Sequence, residues 1–316
     1  MTTLIKGVHH ITSMAADAHT NNQFFTQVLG LRRVKKTVNF DAPEVYHLYY
    51  GDETGAPGSV ITYFPFGTMP RGKRGFGEVG VTEFAVPQGA LPFWKERLAQ
   101  TGVSGLAEGE FLGEKRLEFE GPDGDSFALV EDELRGRSVW TGAGIGSDVG
   151  ILGFHGARFR LRDSAATGEL LSFMGYIREE TQGAVTRWRV PHGNAADVID
   201  VEEIPGAGVA QQGAGSVHHI AFAVEDRAAQ AEIRRKLLDT GYQVTPVIDR
   251  DYFYAIYFRT PGGILFEIAT NEPGFDRDED IAHLGTELKL PERYEPLRDR
   301  IEAHLPPISD SVAHGQ

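Results

Sequence analysis

Two pairs of adjacent histidines lie in similar apolar stretches far apart in the chain. The first pair stands in "GVHHITSM" (7–14) and the second in "SVHHIAFAV" (216–224). Histidine is the commonest protein ligand of transition metals. Two histidines and one carboxylate on one face, with open positions opposite, form a ligand set that suits Fe(II) oxygenases. The repeated pairs lead to the hypothesis that one histidine from each binds a shared metal ion.

A carboxylate that could complete such a set lies near the end of the second repeat. Glu267 stands in the middle of the strongly apolar run "GGILFEIAT" (262–270). An isolated carboxylate buried there costs several kcal/mol unless it is paired or bound to a metal. Glu267 is therefore the candidate third ligand.

The alternation of side chains along a strand selects one histidine from each pair. His219 shares a strand face with two alanines, whereas the opposite face carries bulky residues (Ile220, Phe222 and Val224). Bulky residues suit a face covered by a helix, and small residues suit an open concave face. Glu267 falls on the open side as well. The pattern predicts a triad of His10, His219 and Glu267.

The elements that must position these residues form a four-fold internal repeat. Each copy reads as an apolar strand, an amphipathic helix that ends at a glycine, and about three further strands. The four glycines are Gly30, Gly102, Gly175 and Gly241. The second histidine position of the pair is occupied in the four copies by His10, Glu83, Gly156 and His219. We predict an α+β fold of four βαβββ modules in two tandem domains.

The predicted domain boundaries follow from this repeat. Residues 1–145 hold modules one and two, residues 151–275 hold modules three and four, and residues 276–316 form a charged, helical C-terminal extension. The glycine-rich stretch "TGAGIGSDVG" (141–150) lacks a complete dinucleotide-binding fingerprint and is interpreted as a linker.

Modules two and three lack the full ligand set. Ungapped matching places Ala128 at the Glu267 position of module two, beside Glu83 at the histidine position. Module three has Gly156 there, preceded by His155. Module one has Tyr63 near the Glu267 position, so three protein ligands are expected rather than four. We expect the metal to join modules one and four, with modules two and three as a structural pair.

Composition excludes several functions. The 316 residues contain no cysteine, so disulfides, thiolate metal sites and cysteine nucleophiles are excluded. The net charge of −14 argues against affinity for nucleic acid or anionic membranes. No signal peptide or membrane-spanning run is visible. We expect a cytoplasmic protein, and the sequence leaves a homo-oligomer open.

The chain resembles the vicinal oxygen chelate (glyoxalase-like) superfamily, and more closely its hydroquinone-type ring-cleaving dioxygenases. The matching stretches span nearly the whole sequence: "VHHIT", "YHLYYGDETGAPGSVITYFP", "VHHIAFAV", "YFRTPGGILFEIAT" and "GFDRDEDIAHLGTELKLP". The resemblance implies paired βαβββ modules, Fe(II) or sometimes Mn(II) as cofactor, and a small aromatic substrate with O₂ as partners. It also implies His10, His219 and Glu267 as the metal ligands.

Further site residues follow from the same resemblance, each beside a plainer interpretation. Tyr257, Arg250 and His218 match polar positions near the site, and Thr12 and His9 follow them. Tyr257 could equally be a sheet aromatic, and Arg250 a solvated ion-pair partner. His218 is out of phase with His219, so either a β-bulge or its place at the start of a strand is needed to bring it inward.

Two other classes of function stay open at the level of sequence. One is a non-redox isomerase or thiol transferase of the same superfamily, with Zn, Ni or Mn. The other is a metal-free binding or sequestering protein, which a complete triad disfavours. Within the dioxygenase interpretation, hydroquinone and catechol rings are not distinguished.

Overall fold

The computed structural model describes residues 4–308. Residues 1–3 of the predicted N-terminal domain and 309–316 of the predicted extension lie outside the described residues. Four copies of a βαβββ unit follow one another along the described chain. The predicted α+β fold of four such modules is confirmed.

The first and fourth modules have closely similar elements. Module one comprises β1 (Ile5–Ala15), α1 (Ala18–Gln23) continued by a π-helical turn (Phe24–Val28), β2 (Arg32–Asn39), β3 (Ala42–Gly51) and β4 (Val60–Pro65). Module four comprises β13 (Val217–Val224), α4 (Arg227–Asp239), β14 (Ile248–Asp249), β15 (Phe253–Arg259) and β16 (Leu265–Pro273).

The two middle modules repeat the pattern. Module two comprises β5 (Glu78–Pro87), α2 (Leu91–Gln100), β6 (Ala107–Phe111), β7 (Glu114–Glu120) and β8 (Ser126–Asp132). Module three comprises β9 (Gly153–Leu161), α3 (Ala165–Phe173), β10 (Ile177–Gln182), β11 (Val185–Arg189) and β12 (Val198–Glu203).

A glycine with positive φ follows the helix of every module. Gly30, Gly102, Gly175 and Gly241 have φ of 65°, 72°, 97° and 91°. Glycine adopts this left-handed conformation without a Cβ clash, so it ends a helix and turns the chain back to the sheet. The predicted helix ends are confirmed.

The sixteen strands form two eight-stranded sheets, and each sheet combines an early module with a late one. The first sheet has the order β14-β15-β16-β13-β1-β4-β3-β2, and the second β10-β11-β12-β9-β5-β8-β7-β6. Antiparallel pairing of β1 with β13 joins modules one and four, and pairing of β5 with β9 joins modules two and three. The domain boundaries proposed from the sequence stay a prediction.

The first sheet separates its residues by size as expected. Phe222 and Phe266 pack with ring centroids 4.7 Å apart in the larger apolar core, together with residues of α4. The opposite face carries Ala221 and Ala269. This face is concave, since the two edges of the sheet approach each other: Arg250 Nη1 at one edge lies 3.3 Å from Asp41 Oδ2 at the other. We call this concave face the first cup.

The C-terminal segment packs along β2. It consists of three short 3₁₀ turns (Phe275–Arg277, Ile281–His283 and Glu292–Leu297) and α5 (Arg298–Glu302). Buried Lys35 forms ion pairs with Asp278 and Glu279, and Arg33 Nε donates to the carbonyl of Gly285 at 2.8 Å. The segment thus supports the edge of the first sheet.

Among the helices of residues 4–308, none is both long and apolar enough to span a membrane. The structure does not test three expectations from the sequence. These are the cytoplasmic location, the lack of a nucleic-acid partner and the oligomeric state, which stay predictions.

Candidate metal centre

The two repeated histidines meet in the middle of the first cup. In the β1–β13 pair, His10 lies opposite Ala221 and His219 lies opposite Thr12. The two positions are therefore related by the local two-fold symmetry of the antiparallel pair. The rings of His10 and His219 lie 5.6 Å apart and nearly perpendicular to each other.

Glu267 joins them from the neighbouring strand. Parallel pairing of β13 with β16 places Glu267 beside Ala221, and therefore in the same cross-strand row as His10. Its Oε2 lies 2.9 Å from His219 Nε2 and 3.4 Å from His10 Nε2. One ligand atom from each residue lies within 4.8 Å of the others, and all three residues are buried.

The carboxylate of Glu267 has the electrostatic character of a metal ligand. Its side chain is fully buried, and neither oxygen accepts a hydrogen bond of good geometry. Burial raises the pKa of this carboxyl, but His10 and His219 outweigh burial and hold the pKa well below its usual range. The imidazoles offset burial only if they are protonated, and beside neutral imidazoles this buried anion is costly unless a metal cation compensates for it. The residues present fit a divalent metal ion.

Two β-bulges explain why the histidines occur in pairs. The β1–β13 register slips between Val8 and His10, and again opposite His219, so that His9 and His218 are the extra residues. His10 Nδ1 lies 2.9 Å from His9 Nδ1, and His219 Nδ1 lies 2.8 Å from His218 Nδ1. The first histidine of each pair occupies the Nδ1 atom of the second and leaves its Nε2 facing Glu267.

His9 fixes the tautomer of this arrangement in module one. Its Nε2 lies 3.1 Å from the carbonyl oxygen of Thr270, to which it can only donate. His9 Nδ1 must then accept from His10 Nδ1, and in a neutral His10 imidazole this leaves the lone pair on Nε2. Burial, followed by the neighbouring His10, lowers the pKa of His9 to about 3, which keeps this imidazole neutral. Metal-ligating histidines generally have such a partner on the other ring nitrogen.

Three of the other predicted residues line the same cavity as the triad. The cavity has a volume of about 350 Å³, and His218, Arg250 and Tyr257 contribute to its wall. Arg250 Nε donates to the Tyr257 hydroxyl at 3.2 Å, and Tyr257 lies beside Glu267 in the β15–β16 register. A bulge that can turn His218 inward is present.

His9 and Thr12 lie behind this cavity. His9 lines a separate cavity of about 290 Å³. Thr12 is fully buried and accepts a hydrogen bond from the Thr62 hydroxyl at 2.9 Å. His9 therefore contacts the triad through His10, and Thr12 lies opposite His219 in the strand register.

Ungapped matching assigned Tyr63 and Ala128 to the position of Glu267, but the strand register places other residues there. Glu267 lies beside the residue two after His219. The β1–β4 pair puts Thr62 at that position of module one, and the β5–β8 pair puts Val130 there in module two. Counting without gaps ignored differences in loop length. Neither Thr62 nor Val130 adds a carboxylate or an imidazole to the centre.

The second sheet carries ion pairs on its corresponding face, which we call the second cup. Glu83 Oε1 accepts from Arg116 at 2.9 Å, and Arg187 holds Asp200 with two hydrogen bonds of 2.8 Å. A Cβ at Gly156 would lie 2.1 Å from the carbonyl oxygen of Val198, so this position has no room for a histidine. Among residues 4–308, only the first cup has three imidazole or carboxylate groups whose ligand atoms all lie within 4.8 Å of one another.

Sequence reasoning missed the wall of the cavity that faces Arg250 and Tyr257. This wall consists of Asn39, Phe40, Asp41, His47, Tyr49, Phe64 and Phe66. His47 and Tyr49 alternate along β3 in "VYHLYYG", which was a visible signal. Alternation alone does not show that β3 faces β15 across a curled sheet.

Comparison with known proteins places this fold and site in one class. The sequence profile of the Glyoxalase/Bleomycin resistance protein/Dioxygenase superfamily matches residues 152–268. Glyoxalase I from Zea mays shares the fold, with a TM-score of 0.59 at 13% identity over 84% of this chain and 92% of that one. The chain belongs to this superfamily.

The more similar relatives define the group within it. A protein of Bacillus subtilis named as ring-cleaving dioxygenase MhqO is 45% identical over 96% of both chains. The chlorohydroquinone/hydroquinone 1,2-dioxygenase of Sphingobium indicum is 35% identical over 94% of this chain and 95% of its own. A Bacillus subtilis crystal structure named as a dioxygenase superposes with a TM-score of 0.94 at 44% identity, covering 98% of this chain and 99% of that one. This chain is a member of the ring-cleaving dioxygenases.

Proposed function

We propose that the protein opens a hydroquinone-type aromatic ring with O₂, using Fe(II), or alternatively Mn(II), held by His10, His219 and Glu267. The observation that carries the proposal is the triad itself. Two imidazole nitrogens and one carboxylate converge at the wall of an aromatic-lined cavity. This donor set suits Fe(II) and leaves coordination positions open. The named activity of the Sphingobium indicum relative supports the hydroquinone substrate.

A metal ion held by His10, His219 and Glu267 would supply open coordination positions for a phenolic oxygen and O₂, and redox chemistry between the two. The chain supplies the surroundings. The three ligands are at most 6% exposed, so bulk water is largely excluded from the centre. Phe253 lies against His10, with ring centroids 4.8 Å apart, and Phe64 and Phe66 line the same cavity. These rings provide apolar surface on which a substrate ring can stack.

Arg250 and Tyr257 provide the polar contacts for the substrate oxygen near the metal. Burial lowers the pKa of the Arg250 guanidinium, but Tyr257 and the nearby Asp41 and Glu267 outweigh burial and raise it, so the group stays charged. Burial, and then Glu267, raise the pKa of Tyr257 well above its usual value, so its hydroxyl keeps its proton. A permanent cation and a hydrogen-bond donor side by side suit an anionic oxygen.

His218 is a third polar group that can contact the phenolic oxygen of the substrate. It lines the cavity, its Nδ1 contacts the Nδ1 of His219, and its Nε2 has no hydrogen-bond partner among residues 4–308. With His219 Nε2 as a metal ligand, His219 Nδ1 carries the proton and donates to His218 Nδ1, so His218 Nε2 is protonated and can donate to the phenolic oxygen.

The test is O₂ uptake by protein loaded anaerobically with Fe(II), measured with a panel of hydroquinones and catechols. The proposal predicts uptake that requires Fe(II) and occurs with the hydroquinones. Uptake with catechols alone would replace the substrate class. No uptake with any ring, in protein shown to hold iron, would contradict the proposal and favour a non-redox isomerase or transferase.

A further inference from the structure

The cavity has further polar residues on the wall formed by β3, and nothing above has assigned them a role. Tyr49 and His47 of β3 are the buried polar residues on that wall, among the rings of Phe40, Phe64 and Phe66. Strands β3 and β15 lie on opposite sides of the β1–β13 centre in the strand order. The Tyr49 and Tyr252 rings lie 6.3 Å apart, which shows that the two sides face each other.

A single row of register partners connects this wall to a metal ligand. Tyr49 lies opposite Thr62 in the β3–β4 pair, Thr62 beside Thr12 in the β4–β1 pair, and Thr12 opposite His219 in the β1–β13 pair. The row crosses four neighbouring strands. Its members all lie on the face of the first cup.

The hydrogen bonds along this row can be assigned donors and acceptors in only one way, and they run from Tyr49 through His47 and Thr62 to Thr12. Thr62 Oγ1 donates to Thr12 Oγ1 at 2.9 Å, so Thr62 has only lone pairs to offer His47 Nε2, 2.8 Å away. His47 Nε2 must therefore carry the proton, and His47 Nδ1 must accept. The Tyr49 hydroxyl, 2.7 Å from His47 Nδ1, is the donor to it.

These hydrogen bonds determine whether Tyr49 can donate a hydrogen bond to a ligand or accept one from it. Its only proton is committed to His47, so its oxygen is left as an acceptor. Burial lowers the pKa of His47 well below its usual value, so the imidazole stays neutral and the polarity of the chain is kept. Burial likewise raises the pKa of Tyr49, so this hydroxyl keeps the proton that it donates.

We propose that Tyr49, oriented by His47 and Thr62, accepts a hydrogen bond from the distal hydroxyl of the substrate and so selects 1,4-dihydroxy rings. The inference rests on the proposed function and specifies its substrate class. A 1,4-diol with one oxygen at the triad places its other hydroxyl on the far side of the ring, and the proposal assigns that hydroxyl to Tyr49 on the β3 wall of the same cavity. A catechol places both oxygens near the metal and has no donor for this wall. A ring without a donor at this position leaves the acceptor unpaired, which lowers affinity.

The test is equilibrium binding, which needs no turnover. Hydroquinone and 4-fluorophenol have nearly the same shape, but only hydroquinone has a donor at the distal position. Their affinities for Fe(II)-loaded protein are measured by calorimetry without oxygen. We expect hydroquinone to bind roughly tenfold more tightly, which corresponds to one hydrogen bond.

Variants of two adjacent tyrosines separate the proposal from general damage to the strand. Tyr49→Phe is expected to bring the affinity ratio close to one and to leave catechol binding unchanged. Tyr50→Phe is the matched control, because Tyr50 points to the other face, stacks on Phe25 and has a hydroxyl without a hydrogen-bond partner in the described chain. Tyr50→Phe is expected to keep the ratio.

Thr62→Val tests the chain behind Tyr49. It removes the acceptor for His47 Nε2, so the preference for hydroquinone should fall although Tyr49 is present. An unchanged ratio in Tyr49→Phe, or no preference in the wild type, would overturn the proposal. An unchanged ratio in Thr62→Val would overturn the role of the chain. Selective binding without O₂ uptake would contradict the proposed function and leave this inference standing.

Discussion

His155 of the second cup gives the protein a predicted loss of stability at alkaline pH. It occupies a β-bulge of β9, as His218 does in β13. Instead of lying beside a metal ligand, it lies between two carboxylates, with Nδ1 3.5 Å from Asp132 Oδ2 and Nε2 3.4 Å from Glu114 Oε2. Burial opposes its charge, but these carboxylates outweigh burial and raise the pKa of His155 from 6.5 to about 9.

The magnitude follows from this shift. A raised pKa in the folded state means that the folded protein binds the proton more tightly than the unfolded chain. The stabilisation is complete below the unfolded pKa and is lost as the pH rises through the folded pKa. A shift from 6.5 to about 9 corresponds to about 3 kcal/mol. The free energy of unfolding should therefore fall by about that amount between about pH 6 and about pH 9.5, from this residue alone.

The assay compares wild type with His155→Gln by denaturant unfolding across this range, with a chelator present so that metal binding does not contribute. We expect the stability difference between the two proteins to shrink by about 3 kcal/mol as the pH rises. His283→Gln, at an exposed histidine, is the control and should show no such trend. A stability difference that stays constant over the range, or grows with pH, would refute the reasoning.

Three further predictions concern the first cup and its counterpart. His10→Ala, His219→Ala and Glu267→Ala should each abolish tight Fe(II) binding and turnover; an alanine variant with full iron content and activity would remove that residue from the triad. Tyr257→Phe should keep its iron but slow turnover roughly ten- to a hundredfold, since it loses a donor near the reacting oxygen; an unchanged rate would return Tyr257 to a packing role. Gly156→Ala should lower the free energy of unfolding by about 1–3 kcal/mol, because its Cβ meets the backbone of the neighbouring strand; denaturant unfolding at neutral pH measures this, and wild-type stability would contradict it.

Local patterns along the sequence were sufficient to bring together the three residues of the candidate metal site. Strand alternation assigned His219 and Glu267 to one face, and the repeated histidine pairs placed His10 at the equivalent point of another module. Both depend on neighbouring residues, so the sequence was sufficient for them. The glycine after each helix was equally local, because a left-handed residue is needed wherever the chain turns from helix to sheet.

The parts that were missed depend on long-range geometry. Thr62 rather than Tyr63 lies at the position matching Glu267, because the register is set by pairing with β1 and not by counting through a loop. Tyr49 and His47 reach the cavity only because the sheet curls until its edges meet. A tyrosine or histidine in a half-buried strand is ordinary, so the sequence alone had no reason to single out either residue.

The most direct measurement is the fate of isotopically labelled O₂ in the product. Fe(II)-loaded protein is mixed with hydroquinone under labelled gas, and the ring-opened product is analysed by mass spectrometry, with Glu267→Ala as the control. Our account predicts two labelled oxygen atoms in each product molecule and no product from the variant. Oxidation of hydroquinone to quinone without incorporation of label, or label incorporation that survives in Glu267→Ala, would contradict it.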